Sequence, residues 1–227
     1  MEYEIITFNL TDSHHYGDAL EKTLRLRYQL ISEGDYDGVY MGYGGLDFDQ
    51  YDTPLAKYIA IRKNGDVVAC ARLHRTDYHH KVGDSDISYM INDLCCWKDQ
   101  LPEKYLFTDA ETYELTRLCV CSSFKNRERG KLSRILAGAL YLYCISINAR
   151  RCVFVTELNM VNLAKRVGVG ANILHEQNIA VDGFQNQKFM CVDIPPSIAT
   201  NVVDLINKSV GFDLAPFMQN CKLSQSL

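Results

Sequence analysis

The alternation of apolar and polar positions marks out most of the chain's elements. Tyr3 to Asn9 alternates as a strand does. Asp12 or Ser13 can cap a helix running to about Ile31, with Leu20, Leu24, Tyr28 and Ile31 at helical spacing. Residues 33–52 then lose all period and carry five glycines and six acids, the composition of a long loop. Lys57 to Arg62 and Val67 to Leu73 are apolar runs separated by Lys63-Asn64-Gly65-Asp66, a hairpin signature. Tyr113 to Cys121 reads as a strand whose two-residue period puts Glu114, Thr116 and Leu118 on one face and Leu115, Arg117 and Cys119 on the other. The clearest helix follows, with a stripe of Leu132, Ile135, Leu136, Ala139, Leu140, Tyr143 and Ile147. Cys152 to Thr156 forms a short buried strand, and Asn159 to Val167 a helix stopped by Gly168. Strands over Ile173 to Ala180 and Lys188 to Asp193 precede a last helix, opened by Pro195-Pro196 and reaching about Asn207. This order predicts an α/β protein with a mixed sheet and no regular βαβ repeat.

Composition narrows the class without changing that outline. At 227 residues the chain suits a single domain over 1–227, with a core that needs no disulfide or metal staple. A net charge of −4 argues against nucleic-acid binding. Nine cysteines, an odd number with no C-x-x-C pair, fit scattered reduced thiols in a cytoplasmic protein. The N-terminus has no signal-peptide pattern, and the longest apolar run, Ile135 to Ala149, is too short to span a bilayer.

Charge is unevenly placed. Residues 33–52 hold six acids and no base, among the rings of Tyr36, Tyr40, Tyr43, Phe48 and Tyr51. Carboxylates beside aromatic faces suit a cationic small molecule. Lys125 to Arg134 (KNRERGKLSR) carries five bases and one acid where the long helix begins. There Lys125, Arg127, Arg129, Lys131 and Arg134, with Gly130 admitting close approach, form a phosphate cradle beside the free N–H groups of the helix end. Together the two patches point to an enzyme that joins an anionic, phosphate-bearing donor to a cationic acceptor. The bland alternatives are a solvated acidic loop and a solvated basic run.

Four fragments carry a resemblance: RYQLISE with Arg27, DFDQYD at 47–52, CARLHRT at 70–76 and YELTRLCVC at 113–121. In order and approximate spacing they resemble the LuxI-type acyl-homoserine-lactone synthases. Thr156 in FVTELN and NLAKRVGV at 162–169 extend the likeness. It implies a GNAT-like three-layer αβα fold whose mixed central sheet has a V-shaped opening for the donor's pantetheine arm. It also implies transfer of an acyl group from acyl carrier protein, or from acyl-CoA, to the amine of S-adenosylmethionine, followed by lactonisation. No permanently bound cofactor and no metal are implied.

The residue roles follow from that resemblance together with the charge map. Arg27, Asp49, Asp52 and Arg72 are expected on the acceptor, with Asp47 the bystander. Glu114 is expected to accept the amine's proton, with Arg117 beside it, although a purely structural Glu114–Arg117 bridge is the alternative. A strand N–H near Leu118 to Val120 is placed against the oxyanion, and Thr156 in the acyl pocket. Three positions depart from the family pattern. Ile31 replaces a phenylalanine, His74-Arg75 stands where a proline follows Arg-Leu, and the chain's one tryptophan, Trp97, lies outside the acidic loop. Two readings therefore compete with the first: an N-acyl amino acid synthase with a free amino acid as acceptor, and a non-catalytic ligand-binding module of the same fold. His14-His15 and His79-His80 lack spaced partners for a metal, and Cys95-Cys96 and Cys119/Cys121 read as packing residues.

Overall fold

The computed structural model describes residues 3–33, 43–93, 99–156, 158–167, 171–181, 184–194 and 202–225. The expected tyrosines at 36 and 40, Trp97, Cys95-Cys96, Gly168 and Pro195-Pro196 lie outside these residues.

Among the described residues nine strands form: β1 Glu4–Phe8, β2 Lys57–Lys63, β3 Asp66–Arg75, β4 His80–Val82, β5 Ser85–Ile87, β6 Thr112–Val120, β7 Arg151–Thr156, β8 Ala171–Val181 and β9 Phe184–Asp193. Among the same described residues six helices accompany them: α1 Ala19–Glu33, α2 Met90–Asp93, α3 Asn126–Ser146, α4 Leu158–Val167, α5 Val202–Val210 and α6 Ala215–Gln225. Seven strands make one sheet in the order β1-β2-β3-β6-β7-β9-β8, and β4-β5 pair separately. Every neighbouring pair in the large sheet is antiparallel except β6–β7, which is parallel. The mixed sheet foreseen from the pattern is therefore present. No helix among the described residues is long and apolar enough to cross a membrane.

The sheet has a helix layer on each face. On one face α3 packs its stripe of Leu132, Ile135, Leu136 and Ala139 against Ile59, Ala71, Leu73 and Phe154, with α5 and α6 behind it. On the other, α1 covers the first strands through Ala19 and Leu26 against Phe8, Tyr58 and Cys70. Tyr89, Ile91 and Leu101 cover Val153, Phe189 and Cys191 further along. The first helix begins later than its capping residues suggest. Asp12 uses its carboxylate on the N–H of Asn9 at 2.6 Å, and Ser13–Tyr16 is only a 3-10 turn. Gly17, at φ 64°, breaks the path before α1. The hairpin at Asn64-Gly65 is as expected, both residues having the positive φ of a type I′ turn (54° and 85°).

Two local features of β6 set up the site. First, Arg72 pairs with Thr116 but Cys70 pairs with Cys119, so β6 carries one extra residue there. Arg117 takes up the slack with φ 54°, a bulge in the left-handed region. Second, β6 and β7 pair only through Thr112↔Arg151, Tyr113↔Cys152 and Glu114↔Val153. Past that rung β6 runs on to Val120 and β7 to Thr156 with no further ladder pairs between them among the described residues. The two central strands thus part like a V, with Glu114 at its vertex.

Candidate active site

Acids and arginines that are far apart in sequence meet on the α1 face of the sheet. Arg27 points inward from the buried stripe of α1. The loop is drawn against that helix by the N–H of Asp47, which donates to the carbonyl of Leu24 at 3.1 Å. Arg27 Nε lies 2.7 Å from Asp47 Oδ2, and its two Nη atoms lie 2.8 and 3.0 Å from the Asp52 oxygens, a fork-on-fork contact. Arg72, on β3, reaches Asp49 at 2.6 Å and Asp52 at 2.8 Å and donates to Thr116 Oγ1 at 3.0 Å. Arg117 completes the set, 2.9 Å from both Asp47 and Asp49.

The bulge makes this possible. A regular two-residue alternation places Arg117 on the face opposite Thr116, as the sequence pattern suggested. The extra residue turns Arg117 onto the Thr116 face and sends Leu118 to the α3 side, where it packs against the core with Leu115.

Three carboxylates thus face three guanidinium groups. Asp47 is 1 % exposed and holds two of the arginines. It is an integral member of the cluster and no bystander. Burial by itself raises the Asp52 pKa, but the charges of Arg72 and Arg27 outweigh it and hold the carboxyl below the usual range. Tyr58 Oη adds a hydrogen bond to Asp52 at 2.7 Å, and the backbone N–H of Asp49 another at 2.8 Å. The arginines therefore organise the acids. Tyr51 does not offer its ring to a ligand. It is 1 % exposed, with the Arg72 guanidinium 5.7 Å from the ring centre.

Glu114 stands apart from this cluster. It is fully buried, and its oxygens accept the N–H groups of Met90 (2.9 Å) and Ile91 (2.7 Å) at the start of α2. The alternative of a Glu114–Arg117 bridge is thereby overturned, because Arg117 spends its donors on Asp47 and Asp49. Burial drives the Glu114 pKa up to about 7, although the two N–H groups and Arg72 pull the other way. A carboxylate has about four acceptor positions, so among the described residues two remain for a proton-bearing partner.

An open cleft of about 560 Å³ borders the ion cluster, lined in part by Phe48, Asp49, Asp52, Thr53, Tyr78 and His80. Thr53 and Tyr78 carry no signal in the sequence, and His80 stands there only as half of a histidine pair without metal partners. They lie on no shared motif, and only the turn of the chain after β3 brings Tyr78 and His80 beside residues 48–53. The basic residues Lys125, Arg127 and Arg129 are exposed around the first turn of α3, which starts six residues after the end of β6. Lys131 and Arg134 are half-buried on the next turns. A side chain at Gly130 meets nothing nearer than Arg134 Nη1 at 3.7 Å, so the helix surface there is open. Thr156 ends β7 on the parted side of the V.

Comparison with known proteins agrees with this architecture. The model of the autoinducer synthase family matches residues 17–195. BjaI, a CoA-dependent acyl-homoserine lactone synthase solved with MTA, superposes with a TM-score of 0.73 at 19% identity, over 92% of this chain and 90% of its own. The AHL synthase LasI gives 0.68 at 17% identity, over 85% and 90%. A putative N-acetyltransferase from Lactobacillus plantarum gives 0.54 at 12% identity, over 86% and 100%. These likenesses speak for the fold. No curated protein matches the chain by sequence.

Proposed function

Because this chain belongs to the autoinducer synthase family, a family of acyltransferases, we propose that it makes an acyl-homoserine lactone from S-adenosylmethionine and an acyl group carried on phosphopantetheine. The observation that carries the proposal is the parting of β6 and β7 immediately after Glu114, with the ion cluster and its cleft on the same face of the sheet. A second BjaI structure, with SAM and isopentyl-CoA, supports the pairing of these substrate classes in this fold.

The roles divide as follows. Arg27, Asp49, Asp52 and Arg72, with Asp47 and Arg117, form the rigid wall of the acceptor site. The pantetheine arm enters the V, and its phosphate rests on Lys125, Arg127, Arg129, Lys131 and Arg134 at the start of α3, where N–H groups and basic side chains favour an anion. The acidic surface of an acyl carrier protein suits the same run, and the acyl chain passes Thr156. Glu114 accepts a proton from the acceptor's amine, directly or through a water. The nitrogen then attacks the thioester carbonyl, with the oxyanion on an N–H of the parted edge near Leu118 to Val120. The C–N bond forms, the C–S bond breaks, and the thiol leaves with a proton. In the second step the acceptor's own carboxylate oxygen attacks the carbon next to the sulfonium. The lactone C–O bond forms and a neutral thioether departs, so no further reactant is required.

The test is to incubate the protein with S-adenosylmethionine, a mixture of free amino acids and either acyl carrier protein thioesters or acyl-CoA, then to read the organic extract by mass spectrometry. An acyl lactone together with methylthioadenosine is expected, and the more productive donor identifies the carrier. An acylated free amino acid with no lactone rejects the acceptor assignment. No product with any amine favours a ligand-binding module.

A further inference from the structure

The carboxylates bordering the cleft have no charge to spare. Asp47, Asp49 and Asp52 are matched one for one by Arg27, Arg72 and Arg117. A cation entering the cleft meets a wall that is neutral in sum, so its charge needs another counterpart. Tyr51, next to Asp52 in the sequence, is already committed to Arg72.

What the cleft does present is Tyr78, half-buried and part of its lining. Two imidazoles hold that ring in place. His74 lies 5.6 Å away, tilted by 55°, and His80 lies 5.5 Å away, stacked at 19°. His74 is itself fixed, with Nδ1 donating to the carbonyl of Arg75 at 3.1 Å and Nε2 facing Thr53 Oγ1 at 3.5 Å. Burial and then the Arg72 charge push its pKa down to about 4, so near neutral pH it sets no positive charge against an incoming cation. Phe48, 55% exposed, adds a second ring to the same cleft. An aromatic face in a partly desolvated site attracts a cation without adding a negative charge.

We propose that Tyr78 is the aromatic face on which the acceptor's sulfonium rests, so that the cation is recognised by a ring and the ion-paired carboxylates only shape the site. The proposal deepens, and rests on, the assignment of S-adenosylmethionine as acceptor.

Titration calorimetry on the full chain tests it with two ligands that differ in charge at sulfur, S-adenosylmethionine and the neutral S-adenosylhomocysteine. Tyr78→Phe keeps the face and should bind both within about threefold of wild type, whereas Tyr78→Leu should weaken S-adenosylmethionine by about tenfold or more. S-adenosylhomocysteine should change by less than about threefold in Tyr78→Leu, since the face acts on charge. Equal weakening of both ligands overturns the proposal in favour of plain apolar contact, and so does no weakening of either. A wild type that binds neither ligand overturns the acceptor assignment and this proposal with it. Melting curves accompany each titration, and Tyr78→Met, read by the same criteria, serves if the leucine variant does not fold.

Discussion

Asp47 stands two residues before Asp49 in the sequence and between two guanidinium groups in the fold. Removing one partner of a buried ion pair leaves the other charge stranded, which is worse than never having built the pair. Asp47→Asn is therefore expected to lower unfolding stability by about 3 kcal/mol, read by urea titration. A loss below about 0.5 kcal/mol would return Asp47 to the role of bystander. Glu114 makes a different prediction. If it is the proton acceptor, turnover rises with pH as the carboxyl ionises around its raised pKa of about 7. Stability moves the other way. A carboxyl raised in the folded state contributes its stabilisation below its unfolded value and loses it as pH climbs through about 7. Glu114→Gln should remove both trends and cut turnover by about 100-fold. It should also cost about 1–3 kcal/mol, because the amide nitrogen turns a donor toward the N–H of Met90 or Ile91.

Elements matter here through their irregularities. The β6 bulge converts an alternating strand into one that delivers Thr116 and Arg117 to the same face, and without it the ion cluster lacks its third arginine. The V between β6 and β7 arises because a parallel pair held by only three rungs has no turn to keep its far ends together. Across the sheet, α3 is notched at Gly138. A Cβ there meets Ile206 at 3.0 Å and Val210 and Leu214 at 3.1 Å, so α5 and the start of the α6 segment dock into the gap the glycine leaves. Helix propensity alone favours Gly138→Ala by about 1 kcal/mol. Overpacking against three branched side chains should outweigh this and give a net loss of about 1–2 kcal/mol in thermal or urea unfolding. A rise in Tm would mean that the two helices shift away at little cost.

At the scale of the molecule, the buried polar groups make stability depend on pH in a way that one variant isolates. His74 has a folded pKa of about 4, below its ordinary value near 6.5. The unfolded chain therefore binds the extra proton between those limits, so stability is complete above about pH 6.5 and falls as the pH drops toward 4. His74→Gln loses this dependence. The stability difference between wild type and variant should shrink by about 3 kcal/mol from pH 6.5 to 4 in paired urea titrations. A pH-independent difference would show that His74 is not held neutral.

Local pattern does not reach β4, β5, α2 or α6. It is enough to give the order of the seven large-sheet strands and of α1, α3, α4 and α5, the Asn64-Gly65 hairpin, the α3 stripe and the identity of most of the ion cluster. Each of these is written in local periodicity or in charge type, and both survive any tertiary arrangement. The sequence could not show that residues 47–52, which look like unpaired negative charge, are neutralised by arginines from α1, β3 and β6. Pairing depends on which chains the sheet brings together. It could not show the bulge, since the extra residue is defined only against the β3 partner. The sequence places aromatic rings beside the acids of residues 47–52 only within the acidic loop. Tyr78 stands beside Asp49 through the path of the chain after β3, which no local pattern shows. Local pattern fixed what each segment is, and long-range contact decided which charges remain free to meet a substrate.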